Sequence, residues 1–358
     1  MLLLRIADIN LLFKSDLKGL KIGYPQKNFI HSTFPQSSPQ KGVEAKKKVP
    51  SPQRGEGQGE GEIIDCTISI EHHPLPFNIK DKEIFSHAGP WKLFRNRKGY
   101  KIAFFFPALK PDYYMLAEFK RDFSRVRLYI KDADLRYAQN DKRRAQNDNK
   151  KTFIISHPLD QLLVINLLSR GRGVMIHSCC VNDNGRGFLY AGTSRSGKST
   201  TAKLWLKQTK PSESPHTPLW KRDNPPSSPF IKGGIEGDFK DMTGVKVLSD
   251  DRIIIREFDD KIYAYGTPWH GEVNVCDPGR VEIERIFFLQ HSTKNYVKSL
   301  PPVDAATRMF VRCFPTFWDK EGMAFTLKFI DEVVRKVPCY EFGFVPDKSA
   351  VNFVRGLR

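Results

Sequence analysis

Short apolar bursts, separated by turn residues, open the chain. LLLRIADINLLF, TISIEHH, YKIAFFF, YYMLAEF and RVRLYI alternate or run apolar over a few residues each, a strand pattern and not a helical one. The first of them, MLLLRIADINLLF, is interrupted by Arg5, Asp8 and Asn10, with no basic region ahead of it and no small-residue cleavage site after it. It reads as a strand, not a signal peptide. Residues 1–24 and 63–135 are therefore expected to be β-rich. A helical spacing follows at about 158–169. VMIHSCCV and RGFLYA then flank Asn182-Asp183-Asn184-Gly185, and Asn-Gly between two apolar runs predicts a hairpin. RIIIREF and KIYAYG flank Asp259-Asp260, which read as turn residues. Near the end, MAFTLKFIDEVVRK and DKSAVNFVRGL read as helices on either side of a strand, VPCYEFGF.

Two stretches break this pattern. Residues 25–62 are rich in Pro, Gln, Gly and Lys, and residues 209–240 in Pro, Ser and Gly. Neither carries enough apolar surface to offset the entropy of ordering it. Both read as disordered insertions in surface loops, which folded chains tolerate well. The near-duplication AQNDKR/AQNDNK at 138–150 reads as a further polar loop. Two parts remain: a β-rich N-terminal part, 1–150, and a second domain, 151–358.

Composition narrows the class. Of 358 residues, 40% are hydrophobic and 26 are Phe, enough to fill a sizeable core. No apolar run reaches the ~18 residues that span a bilayer, so no membrane partner is expected. None of the six Cys forms a C-x-x-C, and the neighbours Cys179 and Cys180 cannot easily bridge each other. Reduced thiols in a cytoplasm are expected, not zinc or a disulfide framework. Net charge is +18, and residues 1–150 hold 28 Lys and Arg against 17 Asp and Glu. Much of that excess lies in segments that read as unfolded, such as EAKKKVPSPQR and NDKRRAQNDNKK. It argues for solvated loops and not for a nucleic-acid partner.

One stretch carries specific chemistry. Gly192-Thr193-Ser194-Arg195-Ser196-Gly197-Lys198-Ser199-Thr200 has the spacing G-x-x-x-x-G-K-S. The glycines allow backbone angles that other residues resist, and the loop then turns its N–H groups toward phosphate oxygens. GFLYA reads as the strand entering it and STTAKLWLKQ as the helix leaving it, whose positive N-terminal end faces the same anion. Lys198 would reach the β- and γ-phosphates, and the Ser199 hydroxyl would ligate Mg²⁺. Holding a nucleotide is not yet transfer, which also needs acids for metal and acceptor. KVLSDDRIII supplies a strand, Val245 to Leu248, ending in Asp250-Asp251.

IHSCCVNDNGRGFLYAGTSRSGKSTTAKL followed by VLSDDRIII resembles the C-terminal catalytic domain of HPr kinase/phosphorylase, and more closely the HPr-kinase-like proteins of bacterial peptide-modification clusters. The resemblance covers about residues 152–290. It implies a mixed α/β (α+β) fold, a phosphoenolpyruvate-carboxykinase-like P-loop kinase core. It also implies ATP and Mg²⁺ as cofactors. Under it His177 matches the histidine on the strand before the loop, and Lys198 and Ser199 match the phosphate lysine and the metal hydroxyl. Asp251 matches the proton acceptor, which leaves Asp250 for metal or water positioning. Glu272, in GTPWHGE, stands for a second metal-side carboxylate, and His270 for a contact to phosphate or acceptor. An ordinary Gly-Pro turn around a packed Trp269 is the alternative there. The family's own N-terminal domain has no counterpart in residues 1–150, and its Pro-Gly-Arg-Asn segment is matched only by Asp277-Pro278-Gly279-Arg280.

Two functions stay open at this point. One is an ATP- and Mg²⁺-dependent kinase acting on a hydroxyl, Ser or Thr, of a peptide or small protein. The other is a nucleotide-binding or hydrolysing regulatory module. Homo-oligomerisation is left open as well.

Overall fold

In the computed structural model the described residues are 1–15, 26–33, 63–71, 81–86, 91–95, 97–105, 113–130, 158–208 and 244–357. The polar repeat at 138–150, the stretch 209–240 and most of 25–62 lie outside them. The chain divides into two compact units, Met1–Ser156 and His157–Arg358. Together they are mixed α and β, with two mostly β sheets and, among the described residues, five α-helices.

The apolar start folds as a hairpin, not as the single strand its composition suggests. β1 (Leu2–Ile6) and β2 (Ile9–Ser15) pair across Ala7 and Asp8, both at positive φ, 49° and 56°. Asp8, one of the residues that interrupt the apolar run, is thus the turn itself. The remaining strands are β3 (Ile30–Thr33), β4 (Cys66–Glu71), β5 (Lys82–Ser86), β6 (Trp91–Arg95), β7 (Gly99–Phe105), β8 (Tyr113–Lys120) and β9 (Arg125–Ile130). Their order is β3-β1-β2-β4-β9-β8-β7-β6-β5. The β2–β4 and β4–β9 pairs are parallel and the others antiparallel. Residues 26–33, counted with the insertion on composition, instead form a short 3₁₀ turn and β3. Phe29 is buried there and the strand pairs with β1.

The second unit begins with α1 (Leu159–Leu168), every residue of which is buried. That follows from a helix apolar on nearly all sides. β10 (Val174–Asp183) and β11 (Arg186–Ala191) form the expected hairpin, with Asn184 and Gly185 at φ 56° and 90°. After α2 (Lys198–Leu206) come β12 (Val245–Ser249), β13 (Arg252–Phe258) and β14 (Lys261–Tyr265). Then follow β15 (Arg280–His291), β16 (Tyr296–Ser299), α3 (Pro302–Phe310), α4 (Lys320–Lys336), β17 (Cys339–Phe344) and α5 (Lys348–Arg355). Asp259 and Asp260 sit at positive φ between β13 and β14, as turn residues. The pairings β10–β13, β13–β14, β14–β15, β15–β11 and β11–β10 close into a ring, and β17 and β16 extend the sheet beyond β15.

Strand periodicity divides the core in two. Cys180, Leu189, Ala191, Ile286 and Phe288 join one cluster with Met309 of α3 and Phe329 and Val333 of α4. Their neighbours Cys179, Val181, Phe188, Tyr190, Phe287 and Leu289 join a second with Trp205 of α2 and Val351 of α5. Cover on both faces explains why these strands read as continuous apolar runs. No helix among the described residues is long and apolar enough to cross a membrane.

Candidate functional site

β10 organises the site because segments from four places in the chain pair with it. On one edge β12 and β13 follow a single line of antiparallel pairing. Ser249 lies opposite Cys180 and Arg252 opposite His177. Asp250 and Asp251 therefore face residues 178–179 of β10, and the Ser178 amide donates to the Asp251 carbonyl at 3.0 Å. On the other edge β11 ends at Ala191, opposite Ser178, and the glycine-rich loop of residues 192–200 begins with the next residue. The acidic pair and the start of the loop thus lie on either side of Ser178, about two strand spacings apart (~10 Å).

The loop's shape requires its two glycines. A Cβ on Gly192 would stand 1.9 Å from Ser196 Oγ. Gly197 has φ +102°, and a Cβ there would meet the Phe344 ring at 2.6 Å. Arg195 takes the left-handed region as well, φ 64°, and His291 Nε2 donates to its carbonyl at 3.0 Å. Lys198, the first residue of α2, is 6% exposed. Its Nζ donates to the carbonyls of Gly192 at 3.0 Å and Thr193 at 2.8 Å, so the ammonium sits within the curve of the loop. Ser196 is 8% exposed and its Oγ has no hydrogen-bond partner, and the same is true of buried Thr201 Oγ1. Thr193, Ser194 and Arg195 are exposed, and Ser199 and Thr200 are half-buried at the start of α2.

Burial, reinforced by the charge of Arg312, pushes the Lys198 ammonium down to about 8, against the opposing pull of Cys179 and Asp250. These groups are therefore within electrostatic reach of one another. Asp250 is 1% exposed. Its Oδ1 accepts from the Gly271 amide at 2.8 Å and its Oδ2 from the Val273 amide at 2.9 Å. Both oxygens thus hold the GTPWHGE turn against the strand, a structural task that the spacing of the acids does not announce. Each keeps a lone pair for a further partner.

Asp251 is held differently. His177 Nε2 lies 2.8 Å from its Oδ1, and an Arg252 guanidinium nitrogen donates to its Oδ2. Burial, then Lys198, Arg252 and Arg312, push the His177 imidazole down to about 4. The ring is neutral at pH 7, and its Nε2–H donates to the carboxylate. Arg252 and Arg312 are the site residues that sequence patterns did not single out. Each has a buried Nε without a hydrogen-bond partner. Arg252 lies over the Phe314 ring and Arg312 over the Phe288 ring.

The turn after β14 carries its tryptophan inside the unit. Trp269 is buried and its indole N–H donates to Asp160 Oδ2 of α1 at 3.0 Å. Its carbonyl accepts from Ser249 Oγ at 3.2 Å. His270 is half-buried, with Nδ1 donating to the Gly271 carbonyl at 3.1 Å. Glu272 is exposed. Among the described residues no group of three or more His, Cys, Asp and Glu side chains converges as a metal site. Cys179 and Cys180 do not bridge each other, and burial raises both thiols, which leaves them poor nucleophiles.

Compared with models of known protein families the chain matches none, and no curated protein matches it either.

Proposed function

We propose that the second unit is an ATP- and Mg²⁺-dependent kinase that transfers the γ-phosphoryl group to a hydroxyl, Ser or Thr, of a peptide or small protein in the cytoplasm. The observation that carries this reading is the meeting of two devices at Ser178 of β10. One is a glycine-shaped loop with a buried lysine and unpartnered hydroxyls. The other is a partly exposed carboxylate fixed by a neutral histidine. Under the reading, amides of residues 192–200 and Lys198 take the phosphates. The Ser199 hydroxyl and a free lone pair of Asp250 fit a magnesium ion, which favours hard oxygens and keeps several waters. Glu272, exposed on the turn that Asp250 holds, is the further carboxylate the reading assigns to the metal side. The ion, when bound, supplies charge neutralisation at the phosphates.

His177 and Arg252 orient Asp251 from two directions, so its carboxylate meets the acceptor hydroxyl in a set position. The resemblance to HPr-kinase-like proteins adds weight, and a phosphoenolpyruvate-carboxykinase-like core accords with the mostly β ring beneath the loop. One observation favours the second reading, a nucleotide-binding or hydrolysing module. Both Asp251 oxygens are already engaged, one by a guanidinium, which weakens the carboxylate as a base.

Incubation of the full chain with ATP, Mg²⁺ and Ser/Thr peptides separates the two. Phosphate incorporated into peptide supports the kinase. ADP formed without incorporation supports the module. No nucleotide binding at all sinks both.

A further inference from the structure

Where β11 leaves the sheet to form the phosphate loop, another segment takes over its edge of β10. The His177 amide donates to the Arg312 carbonyl at 2.8 Å, and the Phe314 amide donates to the Met175 carbonyl at 3.0 Å. Ile176 and Cys313 form an antiparallel bridge between them. Arg312 therefore stands in line with Ala191, one β10 residue beyond the end of β11. The chain that delivers it comes from α3, more than a hundred positions after the loop.

Its side chain is poorly satisfied. The guanidinium is half-buried over the Phe288 ring. One terminal nitrogen donates to the Arg308 carbonyl, and Nε is buried with no partner. Among the described residues no carboxylate pairs with it. Its neighbour Arg308 differs, being paired to Glu341 at 2.8 Å. A buried cation without a counter-charge is unfavourable, and its charge also acts on Lys198 and His177. Three cations, Lys198, Arg252 and Arg312, thus act on His177. Asp251 answers Arg252, and Asp250 answers Lys198 in part. Among the described residues no carboxylate answers Arg312 in this way.

We propose that Arg312 is a second phosphate-binding cation of this site, directed at the terminal phosphate of a nucleoside triphosphate held by residues 192–200. This rests on the nucleotide reading of that loop. The loop amides account for the inner phosphates. Arg312 is bonded through its carbonyl to His177, which in turn holds Asp251. Its charge acts both on His177 and on Lys198, the lysine of the loop. An incoming phosphate supplies the missing counter-charge, and a planar guanidinium can grip two of its oxygens at once. It also relieves the repulsion between Arg312 and Lys198.

Calorimetric titration of the full chain with Mg²⁺-ATP and Mg²⁺-ADP tests this on wild type, Arg312→Gln and Arg312→Lys. In Arg312→Gln, ATP affinity is expected to fall roughly tenfold or more while ADP stays within about twofold, the scale of one lost hydrogen bond to a charged group. The Lys variant keeps the charge but not the fork, and recovers only part of the loss. Without nucleotide, Arg312→Gln is expected to melt at or above the wild-type temperature. Equal weakening of ATP and ADP, or an unchanged ratio, in a wild type that does bind ATP overturns the assignment alone. Failure of wild type to bind either nucleotide overturns the reading of the loop and this assignment with it. If Arg312→Gln does not fold, the ATP-to-ADP ratio of Arg312→Lys decides: an unchanged ratio there is equally fatal.

Discussion

His177 Nε2 and Asp251 Oδ1 stand 2.8 Å apart, joining the strand that leads into the phosphate loop's hairpin to the strand line that carries the acids. Both residues are partly exposed, and Arg252 pairs with the other carboxylate oxygen of Asp251.

Asp251→Asn keeps the shape of the carboxylate but removes its charge. Nucleotide affinity is expected to stay near wild type, while phosphotransfer falls about a hundredfold or more, the range of a positioned acid–base group. ATP titration and phosphopeptide formation measure the two separately. Wild-type transfer, or loss of ATP binding, removes Asp251 from the role.

Lys198→Ala is expected to lose both nucleotide binding and transfer. Its ammonium is buried and held below the usual lysine range, so the ligand-free protein should melt within a few degrees of wild type. A large drop in melting temperature without nucleotide would make Lys198 a structural residue instead.

The pH dependence of stability follows from His177. Its folded value, about 4, lies below the ordinary 6.5. Between these values the unfolded chain binds a proton that the folded chain refuses. Stability therefore rises as pH climbs from 4 to 6.5 and is lost in the other direction. His177→Asn is expected to flatten that part of the profile by about 2 kcal/mol, a linkage value reduced for the partial exposure of the ring. Urea unfolding at several pH values in this window provides the comparison, and parallel curves for the two proteins would contradict the assignment.

Gly197→Ala meets two obstacles, a φ of +102° and the Phe344 ring 2.6 Å from the new Cβ. A destabilisation of about 1–3 kcal/mol is expected, with weaker nucleotide binding. Adding Phe344→Leu should return the steric part and leave the backbone part. Full recovery in the double variant would show that φ is not a constraint there.

Local chemistry was legible in the sequence wherever a few neighbouring residues decide the conformation. Asn184-Gly185 dictates its hairpin, and Gly192, Gly197 and Lys198 dictate the loop. Asp8 escaped because the turn it makes lies inside a run of leucines and isoleucines. Phe29 escaped because a short buried strand was embedded in a composition typical of insertions. Asp250 read as a metal-side acid, but whether its oxygens already serve Gly271 and Val273 depends on how a turn folds back over the strand. Arg312 was the least legible. Its place next to His177 comes from pairing between segments far apart in the chain, and a lone arginine after a helix carries no local mark of that.

β10 changes neighbours on one edge and meets the paired acids on the other at the same two residues, His177 and Ser178. The parts of the site therefore cannot be separated by cutting the chain. A fragment ending before α3 would keep the whole glycine-lysine motif, yet it would leave Met175 and His177 with bare main-chain groups on an open sheet margin. Closure of this sheet margin and completion of the C-terminal third should thus be one cooperative event, and minimal pieces chosen by motif alone should fail to fold as the full chain does.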